Sequence, residues 1–485
     1  MPKTSGFVER FFYYFRWYLV LLALAAHLAL AGAAVVALVV GPGRSIEIAK
    51  AAARKAASLA RGEVERLERS RDARVEALLG KTAPDVFRFR DLPDARSSTL
   101  GYGRVLTVGP GAQYARPSQA ARAARNGDVV EIAGGDYPGD TAIWSASDLL
   151  IRAVGGVVRL DAAGTALPQH KAIWIVTGNN IRIENVEFAH ARSRDQNGAG
   201  IRAEGDALHV VSCFFHDNES GLMTSNNPNA RLRVEYSEFA RNGHPSGQAH
   251  QLYVGTIDEF VLRGNYIHET LIGSAVKSRA RKSAIVYNRI VDEGRGRSNY
   301  TIDLSVGGEA HVVGNVLQQG PATENDTLVA FAPEGLRWDR NSLLVAHNTI
   351  VNDRSGGNFV RNHSRGKALV VNNLLLGKGR PAKGPAVLEG NLVTDVRGFF
   401  GRFDATLGGL AGSGQNRFAE APGVADRSSY DYRLRPGSPA VDAAVPLPPE
   451  VAQAWGPLQE YRHPLRVELR PTAGAADVGA HEYVP

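Results

Sequence analysis

The sequence predicts an all-β chain wound as a solenoid of stacked parallel coils. Three observations predict it. First, one short phrase recurs about every 25 residues over the middle of the chain, and a fixed period in this range means stacked units. It reads IENVEF at 183–188, VVSCFF at 210–215, VEYSEF at 234–239, LRGNYI at 262–267 and VYNRIV at 286–291. It continues as VVGNVL at 312–317, VAHNTIV at 345–351, VVNNLLL at 370–376 and EGNLV at 389–393. Second, the apolar members alternate with polar ones at period two and are rich in Val, Ile and Phe, with Asn, Gly and Asp between phrases; no sustained helical period runs through 183–393. Third, Asn recurs just before the last apolar residues of the phrase, at Asn185, Asn265, Asn288, Asn315, Asn348, Asn373 and Asn391. Stacked coils let such amides form a ladder at a bend that Asn tolerates.

The elements before the repeats follow in order. From Leu19 to Val40 the chain is mostly apolar with a single His27, long enough to cross a bilayer as a helix. Trp17, Tyr18 and the aromatic cluster from Phe11 to Phe15 resemble an interfacial belt. A cleaved signal peptide is the rival reading, with Ala29-Leu30-Ala31 as its site, but the apolar run continues well past it. Residues 1–43 are therefore expected to be a membrane anchor. Residues 44–100 follow as a helical stalk, rich in Ala, Glu, Arg and Leu, ending in a charged, Pro-containing linker. Residues 101–393 form the solenoid. Its opening holds an Ala-rich helix from Pro117 to Ala124 with Pro at its first turn, then a strand from Asp128 to Ile132. That helix would close the first coil, and residues 394–485, loop-rich and ending in SPAVDAA and DVGAHEY, would cap the other end.

Composition narrows the partners. A net charge of +7 and a pI near 9.4 favour anions: nucleic acid, anionic lipid or acidic polysaccharide. The basic run from Arg279 to Lys282 is short and reads as a solvated turn, so nucleic acid is not the expected partner. The single cysteine, Cys213, excludes an internal disulfide and reads as a small core residue. The histidines show no metal-ligand spacing, and the chain has no phosphate-binding loop.

Between the phrases lies a second set of short strands. Turning their apolar members Ile201, Leu222, Leu252, Val276, Ile302, Val329 and Val360 inward sends the next residue outward. The outward column is then Arg202, Met223, Tyr253, Lys277, Asp303, Ala330 and Arg361. A column two residues on holds Arg279 and His363, with His250 at the edge and His244 on the loop before it. A solvated sheet with a random mix of charges would also look like this. Yet the ionisable residues gather on the central rungs. They match what β-elimination of a uronate polymer needs: a cation for the carboxylate, a base for the C5 proton and an acid for the leaving oxygen. Lys277 is the candidate base, with Arg279 expected to lower its pKa. Tyr253 or His250 is the candidate acid. Arg202, Asp303, Arg361, His363 and His244 are the expected substrate-binding residues. Asp303 fits better as a partner holding the lysine, or as a metal ligand, than as a bare neighbour.

The repeats, the opening VGPG…AARAARNGDVVEIAGGDY and the closing SPAVDAA…DVGAHEY resemble the right-handed parallel β-helix superfamily of pectate-lyase-like proteins. The stretch AVKSRARKSAIVYNRI at 275–290 is similar to the region around the catalytic lysine of the alginate lyase and chondroitinase B family. The resemblance implies Lys277 as base, an arginine on the next coil, and a calcium site. Here the next rung carries Asp303, the nearest arginines Arg295 and Arg297 lie in the loop before it, and no matching acidic cluster is present. Calcium is therefore carried by the resemblance alone. The expected protein is a polysaccharide lyase anchored in a bacterial inner membrane, with the solenoid on the periplasmic side. A β-helix that only binds or guides an exopolysaccharide, and a C5-epimerase or hydrolase on the same scaffold, are the alternatives.

Overall fold

A computed structural model describes residues 103–394, 415–455, 458–471 and 473–485. The expected membrane anchor and stalk, including Leu19 to Val40, lie outside the described residues. Among the described residues no helix is long and apolar enough to cross a membrane.

The described chain opens with the strand Val105–Val108; the helix Pro117–Ala123 follows, with Pro at its first turn, and then the strand Val129–Asp136, which pairs in parallel with the first. Each later coil contributes one strand to each of three parallel ladders. One ladder is a ten-stranded sheet that includes Ala199–Ala203, Ser220–Thr224, Leu252–Val254, Val276–Ser278, Ile302–Leu304, Thr327–Phe331 and Asn358–Asn362. The recurring phrase supplies the other two. Its first half forms strands such as Glu259–Arg263 and Lys282–Val286, and its second half strands such as Tyr266–His268 and Arg289–Val291. The long strand Leu150–Asp161 pairs with both halves of the next coil and joins the two ladders into one sheet.

The bend inside the phrase explains its sequence. One residue turns the chain through the left-handed region, and the next points a polar side chain inward. Tyr236, Gly264, Tyr287, Gly314 and His347 are the left-handed residues on successive coils. Their alternation of ring and glycine is a packing requirement. A Cβ at Gly314 would lie 2.4 Å from the Tyr287 ring, and one at Gly264 would lie 2.8 Å from that of Tyr236. The inward residues form a continuous ladder of Cys213, Ser237, Asn265, Asn288, Asn315, Asn348, Asn373, Asn391 and Asn416. From Asn288 onward each amide oxygen accepts both the backbone N–H and the side-chain NH₂ of the preceding rung. For Asn288 these bonds come from Asn265 at 2.9 and 2.9 Å. The remaining amide hydrogen goes to a backbone carbonyl, as from Asn288 to Leu262 at 2.8 Å. Asn185 does not join the ladder. Its phrase is one residue shorter, so Asn185 is itself the left-handed residue, with φ 58°. Cys213 takes a ladder position, and burial pushes its thiol up to about 12.

The interior is filled by columns of like residues. Phe188, Phe215 and Phe239 stack with centroids 5.0 and 4.6 Å apart. Trp144 and Trp174 continue the aromatic column edge-on toward the first coils.

The C-terminal residues do more than close an end. Arg417–Ala419 extends one ladder past Leu392–Thr394. The chain then returns along the flank of the solenoid. There Gln459 accepts from Arg263, Trp455 donates to His311 and its carbonyl accepts from Tyr287, and Val445 bonds Asn372.

Asn315→Ala strands two buried N–H groups of Asn288 and should cost about 2–4 kcal/mol of stability, read from urea unfolding; Asn185→Ala, outside the ladder, should cost much less. His311 and His347 are fully buried and held near a pKa of about 3 by desolvation, whereas an unfolded histidine titrates near about 6.5. Between those values the unfolded chain binds more protons, so stability is complete above the upper one and is lost as pH falls. Thermal unfolding should show a midpoint that declines below about pH 6.5, with a shallower slope in His311→Gln.

Candidate functional site

The ten-stranded sheet has the register its period-two pattern implies. Ile201, Leu222, Leu252, Val276, Ile302, Val329 and Val360 point into the solenoid and are fully buried. Arg202, Met223, Tyr253, Lys277, Asp303, Ala330 and Arg361 pair in sequence along the outer face, and Lys383 follows Arg361. Tyr253, Lys277 and Asp303 therefore occupy three consecutive rungs. Arg279 follows Lys277 at the end of its strand.

These side chains meet in one cluster with a residue the column does not contain. The Lys277 ammonium donates to Asp303 Oδ2 at 3.0 Å and to Glu334 Oε1 at 2.7 Å. The other oxygen of Glu334 accepts from Arg279 Nη2 at 2.6 Å and Nε at 3.2 Å. Arg279 Nη1 also donates to the Tyr253 hydroxyl oxygen, and its guanidinium lies 5.3 Å from the centre of the Tyr253 ring. Asp303 is fixed further by Ser305, whose hydroxyl donates to Oδ1 at 2.8 Å. Two cations and two carboxylates thus alternate beside one phenol.

Electrostatics assigns the protonation states. Burial opposes the Lys277 charge, but Asp303 and Glu334 outweigh it and raise the lysine above its ordinary pKa. This corrects the expectation that Arg279 would lower it: Glu334 lies between the two cations and screens one from the other. Arg279 is raised as well, the ion pair with Glu334 and the phenol oxygen exceeding its burial cost. Glu334 is burdened by desolvation yet lowered overall by Lys277 and Arg279. His250 is buried and stacks on Tyr253, centroids 5.7 Å apart. Its Nδ1 accepts the Ser274 backbone N–H at 2.9 Å, which leaves Nε2 as the hydrogen-bearing nitrogen. Burial, then Lys277 and Arg279, lower it to about 3, so it is neutral at physiological pH.

The outer face here is less open than a free strand would be. Asp303 and Ala330 are buried, and the Lys277 side chain is 13% exposed. The turn after Thr327–Phe331 lies against the site. Glu334 N–H bonds Ser305 O, Arg337 N–H bonds Val306 O, and the Trp338 indole donates to Arg279 O.

The other expected binding residues stand apart from this cluster. Arg202 lies two rungs before Tyr253, beyond Met223, with its Nε 3.6 Å from Glu204. His244 makes a local turn with Ser246. Arg361 and His363 lie two rungs past Asp303. Burial, Arg361 and Lys383 together lower His363, which places three basic groups near one another. No Asp or Glu occurs from residue 354 to 388, a stretch holding Arg354, Arg361, Arg365, Lys367, Lys378, Arg380 and Lys383. Glu334 was not identified from the sequence, because it sits on a turn with no period to assign its direction. The only signal was an acid in the Pro-Glu-Gly turn directly after an outward strand.

The cluster does not suit a divalent cation. Asp303 and Glu334 each already take charged donors from Lys277 or Arg279, and a cation between them would meet the ammonium. Among the described residues no group of three or more His, Cys, Asp or Glu is arranged to hold a metal ion.

Comparison with known proteins bears on the fold. A family described as "Right handed beta helix region" matches residues 160–317. The crystal structure of pectate lyase Pel9A superposes with a TM-score of 0.51 at 15% identity, covering 79% of this chain and 96% of that one. The PL6 family alginate lyase AlyGC is far less similar, with a TM-score of 0.28 at 14% identity over 60% of this chain and 51% of that one. No curated protein matches. This chain is a right-handed parallel β-helix with the fold seen in a polysaccharide lyase.

Proposed function

We propose that this protein cleaves an acidic, uronate-containing polysaccharide by β-elimination on the outer face of the ten-stranded sheet. The observation that carries the reading is the carboxylate held between Lys277 and Arg279 beside the Tyr253 hydroxyl. Two fixed cations around a carboxylate are what an eliminase needs, because negative charge develops on the substrate carboxylate as the C5 proton leaves. Lys277, kept charged by its partners, suits this electrostatic role better than that of base. Tyr253 is then the proton-transfer group. With substrate bound, the Tyr253 hydroxyl gives its proton to solvent, and its oxygen, steadied by the Arg279 guanidinium, takes the C5 proton. The C4–O4 bond breaks, a C4–C5 double bond forms, and the same phenol returns the proton to O4. His250, neutral and stacked on Tyr253, holds the ring in place. The basic group of Arg361, His363 and Lys383 further along the face would hold more distant carboxylates of the polymer.

The fold likeness to a pectate lyase agrees with this reading, and the basic charge of the chain suits an acidic polymer. The span from Leu19 to Val40 would tether the enzyme to the inner membrane with the solenoid exported to the periplasm. A second reading is a β-helix that binds such a polymer without cleaving it. It is favoured by the pairing of Lys277 with two carboxylates, the arrangement of a stabilising ion network.

Incubation of the protein with a panel of uronate polymers separates the two. Growth of the ultraviolet absorbance of an unsaturated uronate is expected. Tyr253→Phe should lower kcat by roughly 10²- to 10⁴-fold with KM little changed. Polymer binding without any absorbance change would leave only the second reading.

A further inference from the structure

We propose that Glu334 is a built-in stand-in for the substrate carboxylate: it fills a carboxylate subsite made by Lys277 and Arg279, and a uronate binds there by displacing it. The inference rests on the lyase reading only for the identity of the ligand. The subsite itself rests on geometry.

The two carboxylates of the cluster are not equivalent. Asp303 lies on a strand, takes a second hydrogen bond from Ser305, and its side chain is 3% exposed. Glu334 lies on a turn, and its side chain is 40% exposed. All its side-chain hydrogen bonds go to Lys277 and Arg279, one oxygen to each. That bridging geometry is how a uronate carboxylate would be received, with one oxygen on an ammonium and the other on a guanidinium fork.

Charge balance points the same way. With Glu334 in place the two cations face two carboxylates and the cluster is neutral. With Glu334 swung out, one positive charge is left uncompensated in a partly buried site, which favours an incoming anion. The exchange needs no opening of the turn. The backbone of the turn is fastened through Glu334 N–H to Ser305 and Arg337 N–H to Val306, and the Trp338 indole anchors it to Arg279 O. Rotation about the side-chain bonds of Glu334 is enough, and its exposure gives it somewhere to go. The energetic consequence is competition: a ligand that must displace an internal group binds more weakly by the fraction of time that group is away.

The test is Glu334→Gln, which keeps the shape and removes the charge. Binding of galacturonate and of oligogalacturonate is measured by calorimetry, with the Arg279 side-chain N–H resonance followed by NMR as a local reporter. Affinity for galacturonate should rise by about tenfold, with a shift of the Arg279 signal. Its methyl ester, which lacks the charge, should gain nothing. The gain should vanish in Glu334→Gln combined with Lys277→Met. Unchanged or weaker galacturonate binding in Glu334→Gln would overturn the proposal and make Glu334 a residue that merely positions the two cations. Absence of binding to every variant would overturn it as well. Tighter binding with no unsaturated product in any variant would sink the lyase reading and leave the subsite standing.

Discussion

One interaction sets the geometry of everything else: the buried amide ladder at the bend of each coil. An asparagine inside a protein is costly unless all its hydrogen-bonding groups are met. Here each amide is met only if the next coil places its own amide directly above. A coil shifted by one residue would leave several donors unpaired at once, so the ladder locks register between neighbours. With register locked, side chains separated by about 25 residues in sequence sit on adjacent rungs about 4.8 Å apart. The meeting of Tyr253, Lys277 and Asp303 is a product of this stacking, since none of them is close to another in sequence.

The cluster built on that frame balances desolvation against pairing. Charges placed against a low-dielectric wall are costly alone and stabilised by partners. Lys277 shows the outcome, since two carboxylates more than offset its burial. A permanently charged lysine is a poor base and a good counter-ion. The chemistry proposed for the site therefore moves the proton through Tyr253 and uses the cations to hold negative charge. His250 contributes through its stacked ring and through its bond from Ser274, which needs Nδ1 free of hydrogen.

Much of this was legible in the sequence, and the exceptions have physical causes. The inward and outward columns of the ten-stranded sheet were readable because strands alternate strictly and the inward members are Ile, Leu and Val. The asparagine ladder was readable from Asn265 onward for the same reason. Asn185 was misplaced because its phrase lacks one residue, which moves it to the turning position itself. A second buried pair, Asn218 and Asn242, went unnoticed because it lies at another bend, outside the phrase. Glu334 was invisible because turns have no period, and its partners lie 57 and 55 residues earlier. The protonation of Lys277 followed from Glu334, so missing one meant misjudging the other.

The returning C-terminal chain has a consequence of its own. A bare stack of coils holds only nearest-neighbour contacts, and its last coil can peel away with little effect on the rest. Here the final segment touches Arg263, Tyr287, His311, His347 and Asn372, side chains on five coils. It acts as a spine across the array, so one coil cannot loosen without straining the fastenings of the others. This returning segment, later in sequence than every coil it fastens, binds them together and turns a row of separable units into one cooperative body.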